Sequence, residues 1–168
     1  GVYRYRREDI SYYLKIDMAN AELTREYQVM HWLDGKLPVP RVLYFGETDG
    51  LAYLLMTAAE GNMACDCPED VLHEPYEATV RLLAEGIRML ESVDISDCPF
   101  QSTLDIKLPD ALYNIENGLV DMDDFEEWND FETPMALYDY LVQNRPAETL
   151  CFCHGDYCLP NVFIDGEH

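Results

Sequence analysis

The sequence predicts an α+β chain of two lobes, an N-terminal antiparallel β-sheet with one helix followed by a mainly helical part. Three observations carry this. Short runs dense in Tyr, Val, Ile and Leu flank a single stretch of helical period within residues 1–59; a small, flexible segment, T-A-A-E-G, stands at 57–61; and beyond it apolar residues recur mostly at helical spacing. The 168 residues, 48% hydrophobic and 12% aromatic, suffice for one ordinary domain or two small lobes. A hinge is therefore placed at about 57–61, between an N-terminal lobe at 1–59 and a helical lobe at 60–168.

Residues 2–6 and 10–16 read as a β-hairpin around Arg7, Glu8 and Asp9, with Lys15 inside the second strand. Over 20–33 the period turns helical: Leu23, Tyr27 and Met30 share one side, Asn20 is placed to cap and Gly35 to stop. Pro38 and Pro40 then forbid helix, and 41–45 and 51–56 give two more strands around a turn at 47–50. Past the hinge, Pro75 suits the first turn of a helix reaching Ser92, with Val80, Leu83, Ile87 and Leu90 on one face. Further helices are expected at 104–117 and 135–143, joined by an acidic segment at 121–132, and a short strand at 162–164. No internal repeat or low-complexity linker is present.

The formal charge of −22 is unevenly spread. Residues 1–88 hold nine Lys/Arg against fifteen Asp/Glu, a net of −6, and residues 89–168 hold two against eighteen, a net of −16. Such a field repels nucleic acid and anionic lipid and attracts cations, including polyamine-like small molecules; its plainer reading is a solvated acidic surface. No run approaches the roughly 18 to 20 apolar residues of a membrane span, and the start lacks the apolar core of a signal peptide, so a cytoplasmic location is expected. The six cysteines show no paired C-x-x-C spacing and read as reduced, mostly buried thiols.

Against this layout stands C-F-C-H-G-D-Y-C-L-P-N at 151–161. Phosphoryl transfer asks a protein for a Lys on the phosphates, a carboxylate holding that Lys, an Asp near the attacking hydroxyl and metal ligands. Asp156 and Asn161 are five apart, as in the protein-kinase pattern H-R-D-x-x-x-x-N, with Gly155 in place of the Arg. Taken alone, Asp156 reads as a loop-stabilising carboxylate, as most loop Asp residues do. Lys15, between Leu14 and Ile16, is either an edge charge or a buried cation needing a partner, for which Glu26 and Glu22 on the next helix compete. The order of strand Lys, helical Glu, hinge, helices and H-G-D-x-x-x-x-N makes a protein-kinase-like two-lobed fold the expectation.

With these residues in place, the chain resembles the aminoglycoside 3'-phosphotransferases, the kinase-like enzymes of kanamycin and neomycin resistance. The resemblance runs through Y-Y-L-K-I at 12–16, R-E-Y-Q-V-M-H-W-L-D-G-K-L-P-V-P at 25–40, L-L-M at 54–56, D-I-S-D-C-P at 94–99, the region of Trp128, and C-H-G-D-Y-C-L-P-N. H-G-D alone is common to many small-molecule phosphotransferases; the W-L-x-G-K-L-P-V-P and D-I-S-D-C-P stretches narrow it. It implies that Lys15 holds the ATP phosphates and Glu26 holds Lys15. It further implies that Tyr13 stacks on adenine, Met56 backs that pocket, and Thr57 and Ala59 offer backbone groups to the adenine edge. For Tyr13 and Met56 the alternative is ordinary core packing. Asp156 would orient the antibiotic's 3'-hydroxyl and Asn161 would bind Mg²⁺.

Seven carboxylates in the twelve residues 121–132, with no basic residue among them, create repulsion that a cationic ligand relieves. The resemblance turns this region toward an aminoglycoside and selects Glu126 and Glu127, just before Trp128. Asn129, followed by Asp130, stands where relatives can carry an acidic residue. The family also continues past the Asn to an Asp-Leu-Gly metal ligand and further helices, and starts earlier. The expectation is thus a piece truncated at both ends, itself poorly active. Two rivals are a kinase-like phosphotransferase for choline, homoserine, a macrolide or a sugar, and an inactive ATP-binding remnant.

Overall fold

The computed structural model of the chain describes residues 1–66, 76–123, 125 and 130–165, with side chains of 76–79 left aside. Strands β1 (Val2–Arg7), β2 (Ile10–Met18), β3 (Val42–Thr48) and β4 (Leu51–Thr57) form one antiparallel sheet in the order β1-β2-β4-β3. Helix α1 (Ala21–Leu33) lies between β2 and β3 in the chain and packs on one face of the sheet. This is the predicted β-β-α-β-β run, with β2, β3 and β4 each extending one to three residues beyond the sequence reading.

Local chemistry accounts for the boundaries. The Asn20 side chain accepts from the Leu23 N–H at 3.0 Å, satisfying one of the helix's free donors. The turn between β3 and β4 is tighter than expected: Thr48 pairs with Leu51, leaving Asp49 and Gly50 in a two-residue loop. Their φ values of 52° and 76° match the left-handed backbone that twisted hairpins favour.

The core follows from strand period and one irregularity. Register sets Tyr13 opposite Met56, Lys15 opposite Leu54 and Asp17 opposite Ala52, on one face. Ala52, Leu54 and Met56 are buried there with Leu23 of α1, and Tyr13, Tyr27, Met30, Val42 and Phe45 pack against them. Val42 and Phe45, three apart, would point to opposite faces of a regular strand. The register shifts between Val42 and Tyr44, and this bulge brings both inward. The other face carries Tyr12, Leu14, Tyr53 and Leu55 around an open apolar depression of about 650 Å³.

After β4 the structure adds an element absent from the sequence reading. Strand β5 (Asn62–Met63) pairs with β6 (Phe163–Ile164), and Ala64 and Ile164 form a second small core joined by Leu82 and Val162. Gly61 makes this possible, since a Cβ there would run into the Ile164 carbonyl. Helices α2 (Tyr76–Glu91), α3 (Leu104–Glu116) and α4 (Pro134–Gln143) lie within two residues of expectation. The predicted face of α2 is corrected in part, since Leu83 and Leu90 are half-buried as expected. Val80 and Ile87 are exposed, and Leu82 makes the core contact, because its partner is the β5–β6 ladder.

Close packing divides the chain into Gly1–Ile95 with Cys151–His168, and Ser96–Leu150. In the second unit, Arg145 binds Asp105 and Glu148, each at 2.6 Å, and Glu148 also accepts from the Leu104 N–H at 2.8 Å. The cysteines correct another expectation. Cys65, Cys98, Cys151, Cys153 and Cys158 are free, but none is buried, because all lie in loops or short turns. Cys67 lies outside the described residues. Among the described residues no helix is long and apolar enough to cross a membrane.

Candidate active site

Lys15 on β2 reaches Glu26 on α1 in a half-buried ion pair. Strand period puts Lys15 on the face that α1 covers, and Glu26 stands one turn beyond Leu23, the helix residue that anchors α1 to the sheet. Glu22 is exposed and makes no ion pair among the described residues, so the two-way choice left by spacing falls to Glu26. Lys15, Glu22 and Glu26 line a cavity of about 230 Å³ together with Gly1, Val2, Ile16, Asp17, Asn20 and Leu23. Lys15 is the basic side chain of that lining, beside the carboxylates of Asp17, Glu22 and Glu26.

Farther along β2 and β4, Met56 is 6% exposed and Tyr13 packs beside it, so both take part in the core that the alternative reading assigned them. Thr57 is tied to Arg41 twice: its N–H donates to the Arg41 carbonyl at 3.0 Å and its Oγ1 accepts from the Arg41 N–H at 2.9 Å. The Ala59 N–H has no backbone partner among the described residues. The backbone donor left for a ligand edge is therefore at Ala59, while Thr57 has only its carbonyl to offer.

The loop between Cys151 and β6 holds the remaining groups. Gly155 takes φ +86°, a left-handed conformation that explains glycine where the kinase pattern has Arg. The Asp156 N–H then donates to His154 Nδ1 at 3.3 Å, and the chain turns through a short 3-10 segment, Leu159–Asn161. That turn brings the Asn161 amide back to Asp156. Its Nδ2 donates to Asp156 Oδ2 at 2.8 Å and to the Asp156 carbonyl at 3.0 Å. One carboxylate oxygen is thus held, leaving the other exposed with the rest of Asp156. Cys158 lies 3.3 Å from the same Nδ2; burial, then the Asp156 carboxylate, push its thiol above the ordinary range.

For a divalent ion the fit is partial and of the right kind. With Nδ2 engaged, Asn161 Oδ1 is an oxygen donor without a partner among the described residues, and Asp156 adds carboxylate oxygen. Mg²⁺ takes such oxygens, one or two from protein and the rest from phosphates and water. No cluster of three His, Cys, Asp or Glu side chains suited to a metal occurs among the described residues. Glu126 and Glu127 lie outside the described residues.

Two residues that sequence reading passed over support this loop. The Tyr157 hydroxyl donates to the Leu83 carbonyl of α2 at 3.0 Å, and a Cβ on Gly86 would strike that hydroxyl. Burial raises the Tyr157 phenol above its ordinary range. The available signal was Gly86 itself, a glycine inside a helical pattern, where it costs about 1 kcal/mol against alanine. Phe152 packs against Trp32 of α1 with ring centroids 5.5 Å apart and the rings tilted by 37°, joining the stretch before the loop to the helix that carries Glu26.

A strand lysine paired to a helix glutamate, with an Asp–Asn pair on a later loop, defines the kinase-like phosphotransferases as a class. The chain belongs to the phosphotransferase enzyme family, whose model matches residues 2–168. Within it, the chain is 40% identical to an aminoglycoside 3'-phosphotransferase of Enterococcus faecalis over 99% of this chain and 65% of that enzyme. Among solved structures it resembles an aminoglycoside-3'-phosphotransferase of type VIII, with a TM-score of 0.76, 32% identity, and coverage of 99% of this chain and 62% of that one. It also resembles aminoglycoside phosphotransferase APH(3'')-Id from Streptomyces rimosus in complex with ADP and streptomycin, at TM-score 0.70 and 28% identity, covering 92% and 60%. The chain thus spans less than two thirds of the length of each of these relatives.

Proposed function

We propose that the protein carrying this sequence transfers the γ-phosphoryl group of ATP to the 3'-hydroxyl of aminoglycoside antibiotics of the kanamycin and neomycin type, and so confers resistance. The observation that carries it is the Lys15–Glu26 pair between β2 and α1, in a chain whose loop joins Asp156 to Asn161. Lys15 neutralises phosphate charge, and Glu26 keeps its ammonium from swinging to solvent. Tyr13 and Met56 flank the adenine, with the Thr57 carbonyl and the Ala59 N–H on its edge. Asp156 accepts the proton of the 3'-hydroxyl as its oxygen bonds to the γ-phosphorus and the bond to the ADP oxygen breaks. Asn161 steadies the Asp156 carboxylate and offers Oδ1 to Mg²⁺, which when bound supplies charge neutralisation at the phosphates. Glu126 and Glu127 take ammonium groups of the antibiotic. The lobe boundary at 57–61 and a cytoplasmic location belong to the same reading, as does the absence of nucleic-acid and membrane partners.

The test is a Mg²⁺/ATP assay of the protein that bears this sequence, on a panel of aminoglycosides with and without a 3'-hydroxyl. Turnover confined to those bearing it is expected; equal turnover on those lacking it would sink the assignment. Turnover on choline, homoserine, a macrolide or a sugar alone would favour a different acceptor.

A further inference from the structure

We propose that Tyr157 and Gly86 form a latch that sets the position of Asp156, so that α2, far from the reacting atoms in sequence, tunes the catalytic step. The inference rests on Asp156 acting at the acceptor hydroxyl. Tyr157 directly follows Asp156, and the peptide between them is the only covalent tether on that side of the carboxylate. Its ring leaves the loop and enters α2. There the hydroxyl donates to the Leu83 carbonyl at 3.0 Å in a partly buried contact, and it occupies the space that a side chain at position 86 would fill. The ring also makes a T-shaped contact with His154, with centroids 6.0 Å apart, and His154 Nδ1 accepts from the Asp156 N–H. Asp156 is thus bracketed by two ring-borne contacts that depend on where Tyr157 sits.

The other restraints on Asp156 come from within the loop: Asn161 Nδ2 donates to its Oδ2 and to its carbonyl, and the Cys158 N–H donates to the same carbonyl. Those bonds orient Asp156 within the loop but do not join it to α2. Tyr157 does, because Leu83 and Gly86 belong to a helix of 16 residues. Gly86 is the costly residue whose absence of a side chain makes room, which accounts for an interior helix glycine with no turn or cap to serve. Tyr157 is accordingly a positioning residue, and Gly86 the seat it requires.

A double-variant cycle on the protein bearing this sequence tests the latch. Gly86→Ala alone displaces the hydroxyl and is expected to lower kcat by roughly 10- to 100-fold, the effect of misplacing a reacting group by about 1 Å, with KM for ATP and antibiotic nearly unchanged. Tyr157→Phe removes the hydroxyl and is expected to lower kcat only about 3-fold, since one neutral hydrogen bond is lost while the ring is kept. Combined with Tyr157→Phe, Gly86→Ala should cost little more, since the atom it strikes is gone. Equal, multiplying losses in both backgrounds would overturn the latch, as would a KM rise that accounts for the loss, or no change in kcat from either single variant. The same cycle read by melting temperature keeps the contact testable if no acceptor is phosphorylated: additive shifts there overturn the contact itself, whereas coupled shifts with a silent parent count against the enzymatic reading alone.

Discussion

At the residue scale, the site is a set of tethered charges. Lys15 and Glu26 hold each other, Asn161 holds Asp156, and Tyr157 fastens the loop, and in each case a flexible side chain is restrained by one neighbour. Asp156→Asn keeps the volume and the contact with Asn161 but removes the proton acceptor. It is expected to lower kcat by about 10² to 10⁴, the range for general acid–base groups, with ATP affinity unchanged by calorimetry. Loss of ATP binding in that variant would mean that Asp156 serves the fold instead. Asp156 and Asn161 were legible from a five-residue spacing and Lys15 from its odd place in an apolar strand. Spacing alone left Glu22 and Glu26 open, because both lie on the same helix, and only the packing angle of α1 decides which carboxylate the Lys reaches.

At the scale of elements, the sheet's inner face is the scaffold for Lys15. Leu54, directly across from it in register, is fully buried. Leu54→Ala is expected to cost about 2 to 5 kcal/mol in chemical denaturation, the range for emptying a buried leucine site. A loss under about 0.5 kcal/mol would show that this face is not the core. Within the Ser96–Leu150 unit, Arg145 plays the corresponding part for α3. Its hydrogen bond and charge hold the Asp105 carboxyl below the ordinary range, and the Leu104 N–H followed by Arg145 does the same for Glu148. Carboxyls so lowered stabilise the fold above their unfolded pKa of about 4 and lose that contribution as pH falls through the depressed values. The melting-temperature gap between parent and Arg145→Met should therefore be full at neutral pH and shrink in acid. A gap that stays constant to low pH would refute this role for the cluster.

At the scale of the whole molecule, 33 acidic against 11 basic residues make a long-range field that favours cationic ligands. Among the acidic residues of the 121–132 segment, Asp121, Asp123, Asp130 and Glu132 are exposed. Attraction of this kind is screened by salt. Raising ionic strength from about 0.05 M to about 0.5 M shortens the Debye length severalfold and should raise KM for an aminoglycoside well above any change in KM for ATP. Equal shifts for both substrates would assign the acidity to solubility alone.

Determined by the sequence itself were the elements other than β5 and their order, since strand and helix periods, Asn20, Pro38 and Pro40 and the turn residues before Leu51 act over a few residues. So were the family motifs and the uneven charge. Tertiary structure alone decided what depends on contact between distant segments: the bulge that turns Val42 and Phe45 inward, the β5–β6 ladder, and the exposure of Val80 and Ile87; for Glu26 it supplied the contact that the family motifs had implied. It also decided the seat that Gly86 makes for Tyr157. Residues 71 positions apart leave no local pattern for their contact, because periodicity records which face a residue is on and not what that face meets.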